Sequence, residues 1–103
     1  MYAKFGVKTD DLEEARIWVI AATGLRAEPR ESSNWGGDYY AYHGSAGEKL
    51  RLISNRDVYD GEPIVGGCDE WKIVLTVEVE GDSSNVLTSL ERGDKHFVMV
   101  AAS

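Results

Sequence analysis

The most regular alternation in the chain runs from Lys72 to Glu80 and predicts a β-strand. Every second position in this segment is apolar, and most of the positions between them are polar or charged. A side-chain period of two is typical of a strand that buries one face. The apolar positions are Ile73, Leu75, Val77 and Val79. Because no other segment alternates as clearly, we expect this strand to lie in the middle of a sheet.

Two segments have the pattern of helices. The first, over residues 10–23, carries an apolar stripe at the spacing of one helix face, and its first turn is rich in carboxylates that suit the positive end of the helix dipole. The second is short and lies after the central strand. The predicted N-terminal caps and glycine ends are Asp10 or Asp11 with Gly24 for the first helix, and Ser83 or Ser84 with Gly93 for the second.

The remaining regular segments are predicted strands, and together they define the fold class. They cover residues 2–8, 25–33, 39–43, 50–53 and 95–101, and Pro29 marks the second of them as an edge strand. A chain of 103 residues is long enough to bury one core. We therefore predict a single α+β domain over residues 1–103. It has a mainly antiparallel sheet of about six strands, the order β-α-β-β-β-β-α-β, and both helices packed on one face.

An irregular, acidic segment interrupts this pattern before the central strand. The residues from Ser54 to Glu70 include glycines and a proline and show no period, and a loop of this length in a small domain is more often functional than not. The whole chain has a formal net charge of -7. Eight acidic and two basic residues lie between Ser54 and Asp82, so this segment carries nearly all of the excess.

Acidic side chains interspersed with aromatic ones suit a cationic protein partner, because opposite charge speeds association and rigid aromatic side chains act as anchors. The same composition also fits an ordinary solvated surface that keeps the protein in solution, and both interpretations remain open. The acidity argues against nucleic acid and anionic membranes as partners. The candidate partner-binding residues are Asp57, Tyr59, Asp60, Glu62, Asp69, Glu70, Trp71 and, at a predicted turn, Trp35.

Catalytic and metal chemistry have weaker support. Cys68 follows two glycines, and His43 or His96 would be its base, but Asp69 and Glu70 beside the thiol would raise its pKa and weaken it as a nucleophile. No second cysteine or paired histidine completes a zinc site. We therefore expect a non-enzymatic protein with no metal or cofactor. The N-terminal segment has no apolar core of the kind found in secretory signals, which favours a cytoplasmic location.

The β-α-β-β-β order from Tyr2 to Ile53 resembles one module of the glyoxalase/bleomycin-resistance superfamily. The resemblance includes the helical segment from Leu12 to Trp18 and the Thr-Gly-Leu sequence that begins at Thr23. In that family the metal ligands are histidines and glutamates of the first and last strands of each module, whereas this first strand offers Lys4 and Phe5. The resemblance implies, as an alternative function, a dimer that binds a small ligand without a catalytic metal.

Two other segments resemble the immunity proteins of bacterial toxin–immunity systems, including those of contact-dependent growth inhibition. They are residues 31–40, with the sequence ESSNWGGDYY, and residues 55–62, with the sequence NRDVYDGE. This resemblance implies a cytoplasmic inhibitor that binds a cationic protein toxin, such as a nuclease, by protein–protein interaction. Under this hypothesis the acidic residues of the loop occupy the space in which the toxin would hold substrate phosphates.

Overall fold

In the part of the chain that the structure describes, six strands and two α-helices follow one another in the predicted order. The computed structural model describes residues 1–80, 85–93 and 95–103. The elements are β1 (Tyr2–Val7), α1 (Leu12–Thr23), β2 (Glu28–Ser32), β3 (Gly37–His43), β4 (Lys49–Ser54), β5 (Ile73–Glu78), α2 (Asn85–Arg92) and β6 (Phe97–Ala102), with one turn of 3-10 helix at Ser33–Trp35 between β2 and β3.

All six strands belong to one sheet, in the spatial order β2-β3-β4-β5-β1-β6, and each neighbouring pair is antiparallel. The predicted α+β class and element order are thereby confirmed. β5 lies between β4 and β1, so the strand with the clearest alternation is internal, as expected. β2, which carries Pro29, is one edge of the sheet, where a missing backbone N–H is tolerated.

Local signals set the ends of α1. The carboxylate of Asp11 accepts a hydrogen bond from the backbone N–H of Glu13, and Gly24 ends the helix in the left-handed conformation, with φ of 70°. Of the two predicted caps, Asp11 is therefore the one used. Gly93 follows directly after α2, and its N–H donates to the carbonyl of Leu90. The predicted cap at Ser83 or Ser84 lies outside the described residues.

The observed bounds of β2, β3 and β6 differ from the predicted ones. β2 is shorter than residues 25–33, since Leu25 and Ala27 pack against the main core instead of pairing. β3 begins earlier, at Gly37, because the ladder with β2 continues to the turn. β6 begins after His96, whose ring stacks on the indole of Trp18 with 3.9 Å between the centroids.

The main core lies between the sheet and the two helices. Its largest fully buried side chains include Phe5, Tyr42 and Leu90. A second, smaller core lies on the opposite face of the sheet, and neither α1 nor α2 contributes a described residue to it. The long loop between β4 and β5 covers part of that face.

Candidate functional site: the acidic loop on the second face of the sheet

The loop of residues 55–72, here called the acidic loop, is organised around the side chain of Asn55. Asn55 is fully buried. Its Oδ1 accepts hydrogen bonds from the backbone N–H groups of Ile64 and Val65 at 2.9 and 2.8 Å. Its Nδ2 donates to the carbonyls of Cys68 and Trp71 at 2.9 and 3.1 Å. One amide thus satisfies four backbone groups of a segment that has no helix or strand to satisfy them.

The acidic loop is sealed to the sheet by apolar contacts. Val65 and Cys68 pack against Ile53 and Val74 in the smaller core. Val74 lies between Ile73 and Leu75, which face the helices, so its own side chain is on the second face of the sheet. There the acidic loop buries it fully. β5 is therefore buried on both faces, although its sequence alternates like that of a half-buried strand.

A glycine in β1 makes room for the end of the acidic loop. A Cβ atom built on Gly6 would lie 2.0 to 2.4 Å from three carbons of the Trp71 indole, so the ring rests directly on the glycine backbone. Lys4, two residues earlier on the same face, donates from Nζ to the carbonyl of Gly66 at 2.9 Å. These two contacts join the loop to a strand more than 60 residues earlier in the chain.

The exposed tip of the acidic loop is a turn built by its own carboxylates. Asp57 Oδ1 accepts hydrogen bonds from the N–H groups of Tyr59 and Asp60 at 2.8 and 3.2 Å. Asp60 Oδ1 accepts one from the N–H of Glu62 at 2.9 Å. Backbone bonds close the turn, with the N–H of Asp57 donating to the carbonyl of Glu62 at 2.8 Å. Such side-chain to backbone bonds fix the turn without regular secondary structure.

The turn presents Tyr59 to solvent. Its side chain is 85 % exposed, the largest exposed fraction among the large apolar and aromatic residues described. Asp60 and Glu62 beside it are also exposed, and so are Asp69 and Glu70 farther along the loop. Across the described residues, no hydrogen bond or ion pair engages the carboxylates of Glu62, Asp69 or Glu70. Five of the eight candidate residues are therefore accessible to a partner: three at the turn and two farther along the loop.

The other candidate residues have structural contacts. Trp71 is half-buried on Gly6, and Asp57 holds the turn. Trp35 is half-buried against the smaller core, with the Arg51 guanidinium carbon 4.7 Å from its ring centroid. Substituting Asp57, Trp71 or Trp35 would therefore disturb the structure around the loop as well as the binding of any partner.

The thiol of Cys68 lies beneath the acidic loop and is fully buried. Burial raises the pKa of Cys68, and the charge of Asp69 adds to the effect while that of Lys4 opposes it. The direction expected from the sequence is confirmed, but the main cause is desolvation rather than the neighbouring acids. A buried thiol that resists ionisation is a poor nucleophile.

We expect the Cys68 thiol to react with an aromatic disulfide reagent at least ~100-fold more slowly in the folded protein than in the urea-unfolded chain, because the reagent must wait for the loop to open. The release of the coloured thiolate, followed at one pH with and without urea, measures both rates. Equal rates would contradict the burial of the thiol.

Sequence reasoning missed the residues that place the loop. Asn55 is not among the candidate residues, although its oxygen accepts two backbone hydrogen bonds that hold the loop. Among the described residues, no group of three metal-ligating side chains could hold an ion. Gly6 offered a signal, since a glycine inside a strand often marks a close approach of other atoms.

Comparisons with known proteins do not assign the chain to a family. No protein-family description matches the sequence, and none of the curated proteins searched is significantly similar to it. In the part of the chain that the structure describes, no helix is long and apolar enough to cross a membrane. Function must therefore be inferred from the site itself.

Proposed function

We propose that this protein is a cytoplasmic inhibitor of the immunity-protein kind, which binds a cationic protein toxin such as a nuclease and neutralises it. One observation carries the proposal: the acidic loop presents an almost fully exposed tyrosine, with exposed Asp60 and Glu62 beside it, on a turn that hydrogen bonds already fix. A solvated surface needs charge for solubility, but it needs neither an exposed aromatic side chain nor a fixed turn.

The mechanism follows from charge and preorganisation. The carboxylates steer a cationic surface toward the loop and raise the association rate. Tyr59 then packs into the partner, since tyrosine buries a large area at a low cost in side-chain entropy. Because Asn55 and Asp57 already fix the loop backbone, binding does not have to order it. The bound loop blocks the toxin surface that would otherwise hold phosphates.

The test is charge reversal at positions that leave the loop intact. We choose Glu62→Lys, Asp69→Lys and Glu70→Lys together, because Asp57 and Asp60 hold the turn. With the purified product of the neighbouring reading frame as the toxin, we expect affinity to fall at least ~100-fold and its dependence on salt to flatten. Binding is measured by surface plasmon resonance at low and high salt. Tyr59→Ala keeps the charge and should mainly speed dissociation.

The matched control reverses three exposed acids outside the loop, Glu14→Lys, Glu31→Lys and Glu91→Lys, with the same change in net charge. We expect this control to bind with nearly the affinity of the unaltered protein. If the loop variant binds as tightly as the control and keeps the same salt dependence, the proposed mechanism is wrong.

A further inference from the structure

The acidic loop covers only part of the second face of the sheet, and the uncovered part is basic. There β2, β3 and β4 form a shallow basin of about 220 Å³. The register brings its members together: Arg30 lies opposite Tyr39, Ala41 opposite Arg51, and His43 opposite Lys49. The basin forms because the side chain of Ala41 is small and the basic side chains around it are long.

The positive charge of this basin is only partly compensated. Glu28 accepts a hydrogen bond from Arg30 at 2.8 Å and lies 4.0 Å from His43. On the neighbouring strand β5, Glu78 is the cross-strand partner of Lys49. Within the described residues, no acid comes within 4.0 Å of the Lys49 ammonium or the Arg51 guanidinium. The chain has 18 acidic and 11 basic residues, yet these two neighbouring cations have no ion pair with any acid that the structure describes.

Arg51 is also held in place. Its guanidinium carbon lies 4.7 Å from the centroid of the Trp35 ring, a cation–π geometry that leaves the N–H edges of the guanidinium available. Lys49 is two residues away on the same strand, so the two side chains leave the same face about 7 Å apart at their Cα atoms. A compact group with two negative charges would neutralise both cations at once.

We propose that this basin binds the phosphate of a phosphate monoester. Arg51 offers paired N–H donors that match two phosphate oxygens, and Lys49 supplies a second positive charge for the dianion. Tyr39 provides a hydroxyl and a flat ring at the side of the basin. The volume exceeds that of a phosphate group and leaves room for the first atoms of whatever carries it, either a small molecule or a phosphorylated side chain.

The experiment uses the protein alone, so it does not depend on a toxin. The probes are inorganic phosphate, O-phosphoserine and a short phosphoserine peptide, added to isotope-labelled protein at pH 7.5 and constant ionic strength. We expect saturable shifts in the backbone amide signals of Ala41, His43, Lys49 and Arg51, with a dissociation constant of about 1 mM or below. Tighter binding of the peptide would identify a phosphorylated protein as the source, and equal or weaker binding a free phosphate compound.

The paired variant Lys49→Gln/Arg51→Gln should weaken binding at least tenfold. The control Arg92→Gln/Lys95→Gln removes the same charge from exposed residues outside the basin and should bind normally. Lys49→Gln alone keeps the stacked Arg51, so it tests the site if the paired variant folds poorly. Unsaturated shifts up to about 20 mM phosphate, or equal weakening in the control, would overturn the proposal.

Discussion

Replacing Asn55 with alanine is expected to lower the free energy of unfolding by about 3–5 kcal/mol. The change removes all four hydrogen bonds of the side chain and leaves the buried N–H of Val65 and the partly buried N–H of Ile64 without acceptors. Each such group costs roughly 1–3 kcal/mol in the interior. Urea unfolding followed by circular dichroism measures the loss, which is a large part of the total for a domain of this size.

Asn34→Ala is the matched control for this prediction. Asn34 is exposed at the short 3-10 helix, and the hydrogen bond there uses its backbone N–H rather than its side chain. We expect a change within about 0.5 kcal/mol for this control. The reaction rate of the Cys68 thiol tests whether the loss of stability arises in the acidic loop. We expect this rate to rise in Asn55→Ala. A loss of stability below about 1 kcal/mol would show that the amide does not organise the loop.

Gly6→Ala should destabilise the protein by about 2–4 kcal/mol, because the new methyl group overlaps the Trp71 indole and the ring must leave its place on β1. Trp71→Ala alone should cost a similar amount through the cavity it leaves. If the two residues act through one contact, adding Gly6→Ala to Trp71→Ala costs less than about 1 kcal/mol more. Urea unfolding of both single variants and the double variant measures this coupling.

The control for the glycine substitution is Gly66→Ala, which lies in the same acidic loop as Trp71. A Cβ atom at Gly66 would meet no atom within 4 Å, and this glycine has no left-handed backbone angle that would strain alanine. We expect its effect to stay within about 0.5 kcal/mol. Additive costs of Gly6→Ala and Trp71→Ala would contradict the direct contact between them.

The parts of the fold that follow local rules were predictable. Asp11 and Gly24 bound α1 because capping depends on residues within one turn. The alternation from Ile73 to Val79 predicted the central strand because its apolar positions are the ones that face the helices. In each case the signal and the contact it describes lie close together in the sequence.

The candidate site was predictable in composition but not in construction. Its acids and Tyr59 were visible as a charged, aromatic segment, and the structure places most of them at the surface. The contacts of Gly6 with Trp71 and of Lys4 with Gly66 join residues more than 60 positions apart, and no local pattern encodes such pairs. The role of Asn55 was not predictable for the same reason, since its four partners lie 9 to 16 residues farther along the chain.

The position of β1 in the sheet has a consequence for biosynthesis. β1 pairs only with β5 and β6, and about 65 residues separate Val7 from Ile73. At about 5–20 residues per second, a ribosome needs roughly 3–13 seconds to add them. During that interval the apolar residues of β1 have no strand to pair with, and non-local pairing of this kind is slow. β1 therefore has no strand to pair with until the ribosome has synthesised β5. This part of the sheet forms late in synthesis rather than strand by strand.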